Sequence, residues 1–145
     1  MVRPSWNKVL MNVAEEFAQR STCASKKVGA VIVRDNRPIS TGYNGDYSGA
    51  ENCSGVLTCL TLEGRCGGDT IHAEMNAILF AARNGIKTEG ASIYVTCCPC
   101  KNCAKAIIQA GITSVYFKET YRDMSGLTIL RAANINTTQI LEVEA

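Results

Sequence analysis

The stretch ASIYVTCCPCKNCAKAIIQAG, residues 91–111, contains the change of pattern that decides the fold. Its first part, residues 91–96, is rich in β-branched and aromatic residues, which predicts a buried strand. Pro99 is typical of a first helical turn, and the apolar spacing after it predicts a helix that ends at Gly111. A strand that leads directly into a helix indicates an α/β domain.

The same alternation of strands and helices extends on both sides of this stretch. Asp35 and Asn36 predict a turn between two strands, which would form a hairpin. A helix between the last two strands predicts that these strands are parallel, joined by a right-handed crossover. Residues 1–145 are therefore predicted to form a single α/β domain. The other predicted helices are 6–17 with Ser5 as N-cap, 72–85 and 125–133, and the other predicted strands are 28–33, 38–43, 114–117 and 139–143.

Composition and charge disfavour several classes of protein. The formal net charge is +2, without the basic footprint that a polynucleotide partner requires, so DNA and RNA are disfavoured. No apolar run is long enough to span a membrane, and the N-terminus lacks the apolar core of a signal peptide. We therefore expect a cytoplasmic protein, in the host cytoplasm if the chain is viral. Thiols stay reduced there, so the eight cysteines indicate metal binding or reactivity rather than disulfides.

Three residues have the spacing of a catalytic zinc site. Cys100 and Cys103 lie three apart at a helix start, where the helix dipole favours thiolates, and His72, the single histidine, begins another helix. Alone, the histidine could be structural and the cysteine pair a redox motif of the thioredoxin kind. Two helix starts at one edge of a sheet can instead bring one nitrogen and two sulfurs to one zinc. Three protein ligands leave the fourth position open, as in catalytic sites.

Glu74 supplies the acid–base group that such a site needs. It lies two residues after His72 at the same helix start, so it can point into the same cavity without binding the metal. Zinc lowers the pKa of bound water, and a neighbouring carboxylate can take the released proton and pass it to a leaving group. The pattern H-x-E…P-C-x-x-C is the signature of zinc-dependent nucleobase deaminases.

The resemblance extends beyond this signature. The segments CASKKVGAVIV, STGYNG, HAEMNAILFAARNG and YVTCCPCKNCAKAIIQAG resemble the deoxycytidylate (dCMP) deaminases, especially their phage-type members. The resemblance implies a three-layer α/β/α fold around a five-stranded mixed sheet, and a homo-oligomer, commonly a hexamer. It also implies hydrolysis of dCMP to dUMP and ammonia, activation by dCTP and inhibition by dTTP, with Mg²⁺ accompanying the effector nucleotide.

The resemblance also assigns residues around the substrate. His72, Cys100 and Cys103 would bind zinc, and Glu74 would move protons to N3 and to the departing amine. The remaining substrate-binding residues it implies are Asn44, which would hydrogen-bond the sugar, Ala73, and Tyr121, which would stack on the pyrimidine. From the residues alone, Asn44 could equally be a turn residue with positive φ, and Tyr121 could simply pack.

The other cysteines divide into two groups. Cys97 and Cys98 end a strand and are expected to be small, buried, inert thiols on alternate faces, so only Cys100 and Cys103 of TCCPCKNC should bind metal. A loop this poor in apolar residues needs something to hold it, and a structural Cys₄ zinc would do so. Free thiols and disulfides are the alternatives. The proposed ligands of this second zinc are Cys23, Cys53, Cys59 and Cys66.

A mononucleotide needs cations or N–H donors for its phosphate. The candidates are Lys26, Lys27 and Arg122, although each could be a solvated surface charge. Phe80 and Arg83 share a face of the helix that begins at His72, and the resemblance implies that such a pair helps to bind dCTP or dTTP near a subunit contact. A pair of this kind could also be the edge of the core.

Two alternatives to a dCMP deaminase remain open at this point. The same chemistry could act on a base in tRNA or single-stranded nucleic acid, which the near-neutral charge disfavours. The zinc could also stabilise a binding module without catalysis. Glu74 argues against that module, because a structural zinc has four protein ligands and needs no neighbouring acid.

Overall fold

The computed structural model describes residues 1–23, 25–50, 70–121 and 123–141. The helices in these ranges are α1 (Trp6–Ala18), α2 (Ala73–Arg83), α3 (Lys101–Gln109) and α4 (Ser125–Ala132). The strands are β1 (Gly29–Arg34), β2 (Arg37–Tyr43), β3 (Gly45–Asp46), β4 (Thr70–Ile71), β5 (Ser92–Cys97), β6 (Ser114–Glu119) and β7 (Asn136–Gln139).

Five strands form the central mixed sheet in the order β2-β1-β5-β6-β7. β1 pairs antiparallel with β2 and with β5, whereas β5–β6 and β6–β7 are parallel. Asp35 and Asn36, with φ of 52° and 60°, form the two-residue turn between β1 and β2, as expected for a tight hairpin. The predicted fold class, including parallel pairing of the last two strands, is therefore confirmed.

The side chains of β1 show how the three layers form. Ala30 and Ile32 pack in the larger core cluster, with α2, α3 and α4, whereas Val31 and Val33 pack in a second cluster with α1. Successive side chains of a strand point to opposite faces of the sheet. The helices therefore cover both faces, with α1 on one side and the two helices that begin at the predicted zinc ligands on the other.

Glycine allows α2 to lie unusually close to the sheet. A Cβ atom at Gly42, in β2, would lie 2.3 Å from the backbone oxygen of Ala73 and 2.6 Å from the backbone nitrogen of Ala77. Gly126 has the same role in α4, where a Cβ would lie 2.0 Å from the oxygen of Pro99. Both contacts involve backbone, which cannot give way as a flexible side chain would. These two glycines therefore set the positions of the helix starts around the candidate site.

The helix and strand bounds mostly agree with the sequence within one or two residues, and the Ser5 side chain caps α1 by accepting from the nitrogen of Lys8 at 3.2 Å. The last strand is the exception, because it lies at Asn136–Gln139 rather than 139–143. Asn134, with φ of 60°, turns the chain straight after α4, so the strand begins earlier than predicted. None of the helices in the described ranges is long and apolar enough to cross a membrane.

Candidate active site

Two helix starts meet on one side of the sheet. The short strand β4 leads into α2, whose N-cap is His72, and β5 leads through Pro99 into α3, whose N-cap is Cys100. Both cap residues have extended backbone, so their side chains project from the ends of the helices rather than along them. Cys103 lies one turn into α3 and is buried.

The three predicted metal ligands converge. The Nδ1 atom of His72 lies 3.4 Å from the Sγ atoms of both Cys100 and Cys103, and the three ligand atoms all lie within 4.8 Å of one another. Tetrahedral zinc with ordinary Zn–N and Zn–S bonds requires nitrogen–sulfur separations of about 3.6 Å. One imidazole and two thiols at this spacing fit zinc, and among the described residues they are the one such group that could hold a metal.

The two thiols have pKa values that are shifted in opposite directions. Hydrogen bonds from Cys103 and His72 lower the pKa of Cys100 to about 3. The pKa of Cys103 is raised, first by its hydrogen bond with Cys100 and then by burial. Cys100 is therefore the thiol that ionises more readily, and zinc binds the deprotonated form of both.

Glu74 has the environment of a proton carrier. Its residue is only 4 % exposed, and burial raises the pKa of its carboxyl group from 4.5 to about 7, although its own backbone N–H and the nearby His72 oppose the rise. A carboxyl group with a pKa near the working pH can both take up and release a proton. The carboxyl group can therefore serve as both base and acid.

Asn76 fixes the start of α2, a role that the sequence interpretation missed. Its Nδ2 atom donates to the oxygen of Tyr43 at 2.8 Å and to the oxygen of Ile71 at 3.4 Å. These bonds join the ends of β2 and β4 to the helix that carries His72 and Glu74. The available signal was its position four residues after His72, one helical turn along α2.

A cavity of about 510 Å³ opens beside these groups. His72, Glu74 and Cys100 line it at the helix starts. Its rim comes from three chain segments that are distant in sequence and that carry Lys26, Asn44 and Tyr121. The remaining lining residues are Cys23, Ser25, Val28, Thr70, Ala73, Cys97, Cys98, Lys101, Asn102 and Asp123.

Asn44 lines the cavity and organises its rim. Its Oδ1 atom accepts from the nitrogen of Val28 at 2.8 Å, and its Nδ2 atom donates to the oxygen of Lys26 at 2.7 Å. The alternative prediction of a turn residue with positive φ is wrong, because the described non-glycine residues with positive φ are Asp35, Asn36 and Asn134. Its contact with the sugar stays a prediction.

The charged and aromatic residues predicted to contact the nucleotide differ in whether they line the cavity. Lys26 lines the cavity and its Nζ atom lies 2.9 Å from Oε2 of Glu119, which raises the pKa of the lysine. Tyr121 also lines the cavity and is 49 % exposed. Lys27 is exposed and is not among the lining residues. Arg122 lies outside the described residues.

The other cysteines do not join the metal group in the described part of the chain. Cys97 and Cys98 are both buried, and burial raises the pKa of Cys97 to about 11 and also raises that of Cys98. The strand ends at Cys97, so the predicted alternation stops there and both thiols line the same cavity. Cys23 is buried and disulfide-bonded, with Sγ 3.1 Å from Oγ of Ser25, so the structure favours the alternative of a disulfide over a zinc-binding thiolate at this position. The other proposed ligands of the second zinc, Cys53, Cys59 and Cys66, lie outside the described residues.

The two residues predicted to bind an effector lie away from the cavity lining. Phe80 is 51 % exposed, and Arg83, in the last turn of α2, is also exposed. Leu79 beside them is 50 % exposed. This end of α2 is therefore an accessible surface with an apolar and a cationic part, and effector binding there stays a prediction.

The site geometry agrees with a comparison against families of known proteins. Residues 4–119 match the model of the cytidine and deoxycytidylate deaminase zinc-binding region. The chain belongs to this family. Its predicted resemblance to deoxycytidylate deaminases is therefore confirmed at the level of the family, and the match covers all of the residues placed at the metal and the proton carrier.

Individual members of the deaminase family show how close the relation is. ComE operon protein 2 of Bacillus subtilis is 50 % identical over 122 residues, which cover 84 % of this chain and 64 % of that protein. Deoxycytidylate deaminase of Mycobacterium phage D29 is 39 % identical over 128 residues, covering 81 % of this chain and 97 % of the phage protein. The crystal structure of dCMP deaminase from cyanophage S-TIM5 in complex with dCMP and dUMP superposes with a TM-score of 0.86 at 30 % identity, over 97 % of this chain and 100 % of that one.

Other members of the deaminase family are considerably longer. This chain spans 46 % of the length of the deoxycytidylate deaminases of Schizosaccharomyces pombe and Saccharomyces cerevisiae, at 38 % and 37 % identity.

Proposed function

We propose that residues 1–145 form one deaminase domain that hydrolyses dCMP to dUMP and ammonia with a zinc ion bound by His72, Cys100 and Cys103. The convergence of one imidazole and two thiols at 3.4 Å, beside a buried carboxyl group that opens to a cavity, carries the proposal. A structural zinc would have four protein ligands and no need of Glu74. The phage relatives named as deoxycytidylate deaminases support the choice of substrate.

Glu74 is the group that moves protons in this proposal. When bound, zinc would lower the pKa of a water molecule towards neutrality and so supply the nucleophile for C4 of cytosine. Glu74 takes one proton from this water and delivers it to N3 as the oxygen adds to C4. Glu74 then takes the second proton from the new C4 hydroxyl group and delivers it to the amine. The C4–N bond breaks as the C4 carbonyl forms, so the products are dUMP and ammonia. Burial, which raises the pKa of the Glu74 carboxyl group, suits a group that must both accept and donate protons.

The cavity rim would orient the nucleotide. Asn44 offers its remaining amide hydrogen-bonding capacity to the sugar, Ala73 lies against the base, and the half-exposed ring of Tyr121 stacks on the pyrimidine. Among the phosphate candidates we rank Lys26 first, because it lines the cavity while Lys27 does not. A lysine that is paired with Glu119 stays protonated and is held in place until the anion arrives.

Regulation and assembly belong to the same proposal. We expect activation by dCTP and inhibition by dTTP, with Mg²⁺ accompanying the effector, at the exposed pair Phe80 and Arg83. We also expect a homo-oligomer, probed first as a hexamer, and a cytoplasmic location, in the host if the protein is viral. A second zinc bound by cysteines would hold the segment between β3 and β4. Its proposed ligands are Cys23, Cys53, Cys59 and Cys66, and Cys23 would bind only in the reduced state because it is disulfide-bonded in the structure.

The deciding experiment is a substrate panel. The zinc-loaded protein is given dCMP, deoxycytidine, cytosine and a tRNA anticodon hairpin separately, and ammonia release is followed. Fast release from dCMP alone is expected. Release from the hairpin instead would move the activity to nucleic acid, and no release from any substrate, with zinc bound, would favour a binding module.

Two further measurements test regulation and the second metal. dTTP should inhibit the wild-type protein and lose its effect in Arg83→Glu, while unchanged inhibition would remove Arg83 from the effector site. Elemental analysis should find two zinc ions per chain, and a single ion would leave only the site at His72.

A further inference from the structure

Cys98 makes two hydrogen bonds across to the cavity rim. Its nitrogen donates to the oxygen of Glu119 at 2.8 Å, and its Sγ atom accepts from the nitrogen of Tyr121 at 3.0 Å. It is 4 % exposed and follows β5 directly. A residue that the sequence predicts to be an inert thiol therefore contacts a segment more than twenty positions away.

The Sγ atom of Cys98 continues the hydrogen bonding between the β5 and β6 segments beyond their last paired residues. β5 and β6 are paired up to Cys97 and Glu119, so Tyr121 lies beyond the last backbone ladder contact. Each backbone N–H of a partly buried segment needs an acceptor. The Cys98 side chain supplies it, in place of a further strand residue.

Cys98 is itself held firmly. It belongs to the larger core cluster, and the next residue, Pro99, is fully buried against α4, where a Cβ at Gly126 would lie 2.0 Å from its oxygen. Close packing on this side leaves Cys98 no room to move. Its contacts with the rim are therefore contacts with a fixed point beside the metal ligands.

The segment that Cys98 holds, residues 119–121, positions two of the residues that line the cavity, Tyr121 directly and Lys26 through Glu119. Tyr121 lines the cavity with its ring half exposed, and Glu119 pairs with Lys26 at 2.9 Å. The position of residues 119–121 thus affects both the aromatic part of the cavity lining and the lysine that pairs with Glu119.

We propose that Cys98 is a positioning residue that sets the distance between Tyr121 and the metal end of the cavity, and so tunes how tightly the pyrimidine nucleotide binds. This inference rests on the proposed function for the identity of the nucleotide. It gives Cys98 a role that depends on its being a hydrogen-bond acceptor, and not on its reactivity.

The test uses two matched pairs of variants, in each of which only the acceptor differs. Cys98→Ser and Cys98→Thr keep an acceptor, whereas Cys98→Ala and Cys98→Val lack one, and the Val and Thr pair, which share one shape, provides a second comparison if the smaller pair folds poorly. Val33→Ala, on the opposite face of the sheet, controls for lost core volume. The zinc-loaded proteins are compared in the KM and kcat for dCMP, in the Kd for dUMP by calorimetry, and in amide exchange at Tyr121.

Loss of one hydrogen bond to the rim should raise KM and Kd about five- to tenfold, with kcat within about twofold, in the acceptor-free variants. The Ser and Thr variants should retain most of the wild-type affinity for the nucleotide, and Val33→Ala should change neither KM nor Kd. In a Tyr121→Ala background, Cys98→Ala should add little, because its effect passes through Tyr121. Equal KM values within each pair, or full additivity with Tyr121→Ala, would overturn the inference.

Amide exchange separates this inference from the proposed function. The Tyr121 amide should be protected in the wild-type protein and exchange at least about tenfold faster in Cys98→Ala and Cys98→Val, whatever the substrate is. Protection that is absent, or that survives loss of the acceptor, would reject the role of Cys98 even if dCMP is turned over. Protection that follows the acceptor in a protein inactive on dCMP would reject only the proposed substrate.

Discussion

The metal end and the rim of the cavity are built in different ways. At the metal end, His72, Glu74 and Cys100 lie at helix starts, and their positions follow from short spacings within two helices. At the rim, Lys26, Asn44 and Tyr121 lie on connecting segments held by a few polar contacts over long sequence separations.

This difference separates chemistry from selectivity. At the metal end, Glu74 and Cys103 are buried and the helix starts are braced by backbone contacts, so a substitution there should abolish a step or collapse a helix. The rim is partly exposed and depends on individual hydrogen bonds worth about 1 kcal/mol each. Substitutions there should shift affinity while the chemical step continues.

The strongest test of the metal end is Glu74→Gln. The amide keeps the shape of the carboxyl group but cannot carry protons, so kcat for dCMP should fall about 10³-fold, while elemental analysis should show unchanged zinc. Glu74→Asp serves as the control that keeps the acid. Zinc lost together with activity would place Glu74 among the ligands.

The bracing of the metal end can be tested at Gly42. A Cβ there meets backbone of α2 at 2.3 Å, so Gly42→Ala should lower the free energy of unfolding by about 3 kcal/mol and weaken zinc binding. Gly45→Ala is the matched control, because its Cβ would have Tyr43 at 3.8 Å as its nearest contact. Equal stability of the two variants in urea would show that α2 is not pressed against β2.

The burial of Glu74 predicts a pH dependence for the metal-free protein. Its pKa rises from 4.5 to about 7 on folding, so the folded state keeps a proton that the unfolded chain releases, and this favourable contribution is lost as pH rises from about 4.5 to 7. The stability of Glu74→Gln relative to the wild type should therefore increase over that range, on the order of 2 kcal/mol.

Urea unfolding of both proteins after chelation, at several pH values, measures this difference. Taking the difference between the two proteins removes the opposite trend of Cys100, whose lowered pKa adds stability as pH rises. A difference that does not change with pH would mean that water reaches Glu74.

The smallest effect is expected at the rim. Lys26→Gln should raise KM for dCMP about tenfold and leave kcat nearly unchanged, since one charge-assisted contact to phosphate is worth about 1.5 kcal/mol. Deoxycytidine, which lacks the phosphate, should show little change. Lys27→Gln provides the comparison, and a larger effect there than at Lys26 would reverse our ranking of the two lysines.

The same contrast explains which parts of the molecule the sequence could predict. The succession of strands and helices follows from hydrophobic periodicity and from Gly85 and Gly111 as helix ends, and the metal trio follows from the spacing of Cys100 and Cys103 and from His72 at a helix start. These signals are local. The predicted position of the last strand is wrong, because Asn134 turns the chain directly after α4 and Ile140 packs just beyond the ladder.

The rim depends on contacts that no local pattern encodes. Nothing in the sequence pairs Asn44 with Val28, Asn76 with Tyr43, or Cys98 with Tyr121, because each bond joins segments through the folded sheet. The preference for Lys26 over Lys27 as the phosphate ligand likewise follows only from the fold. The two lysines are neighbours and are equivalent in sequence, but only Lys26 lines the cavity.

The hairpin turn at Asp35 and Asn36 is a suitable position for a label. β2 runs from that turn to Tyr43 beside the cavity, a length of about 20 Å at ordinary strand rise, so the two ends are well separated. A fluorophore or affinity handle inserted between Asp35 and Asn36 would report on the protein from outside the catalytic region. Single molecules could then be followed or immobilised while they turn over substrate.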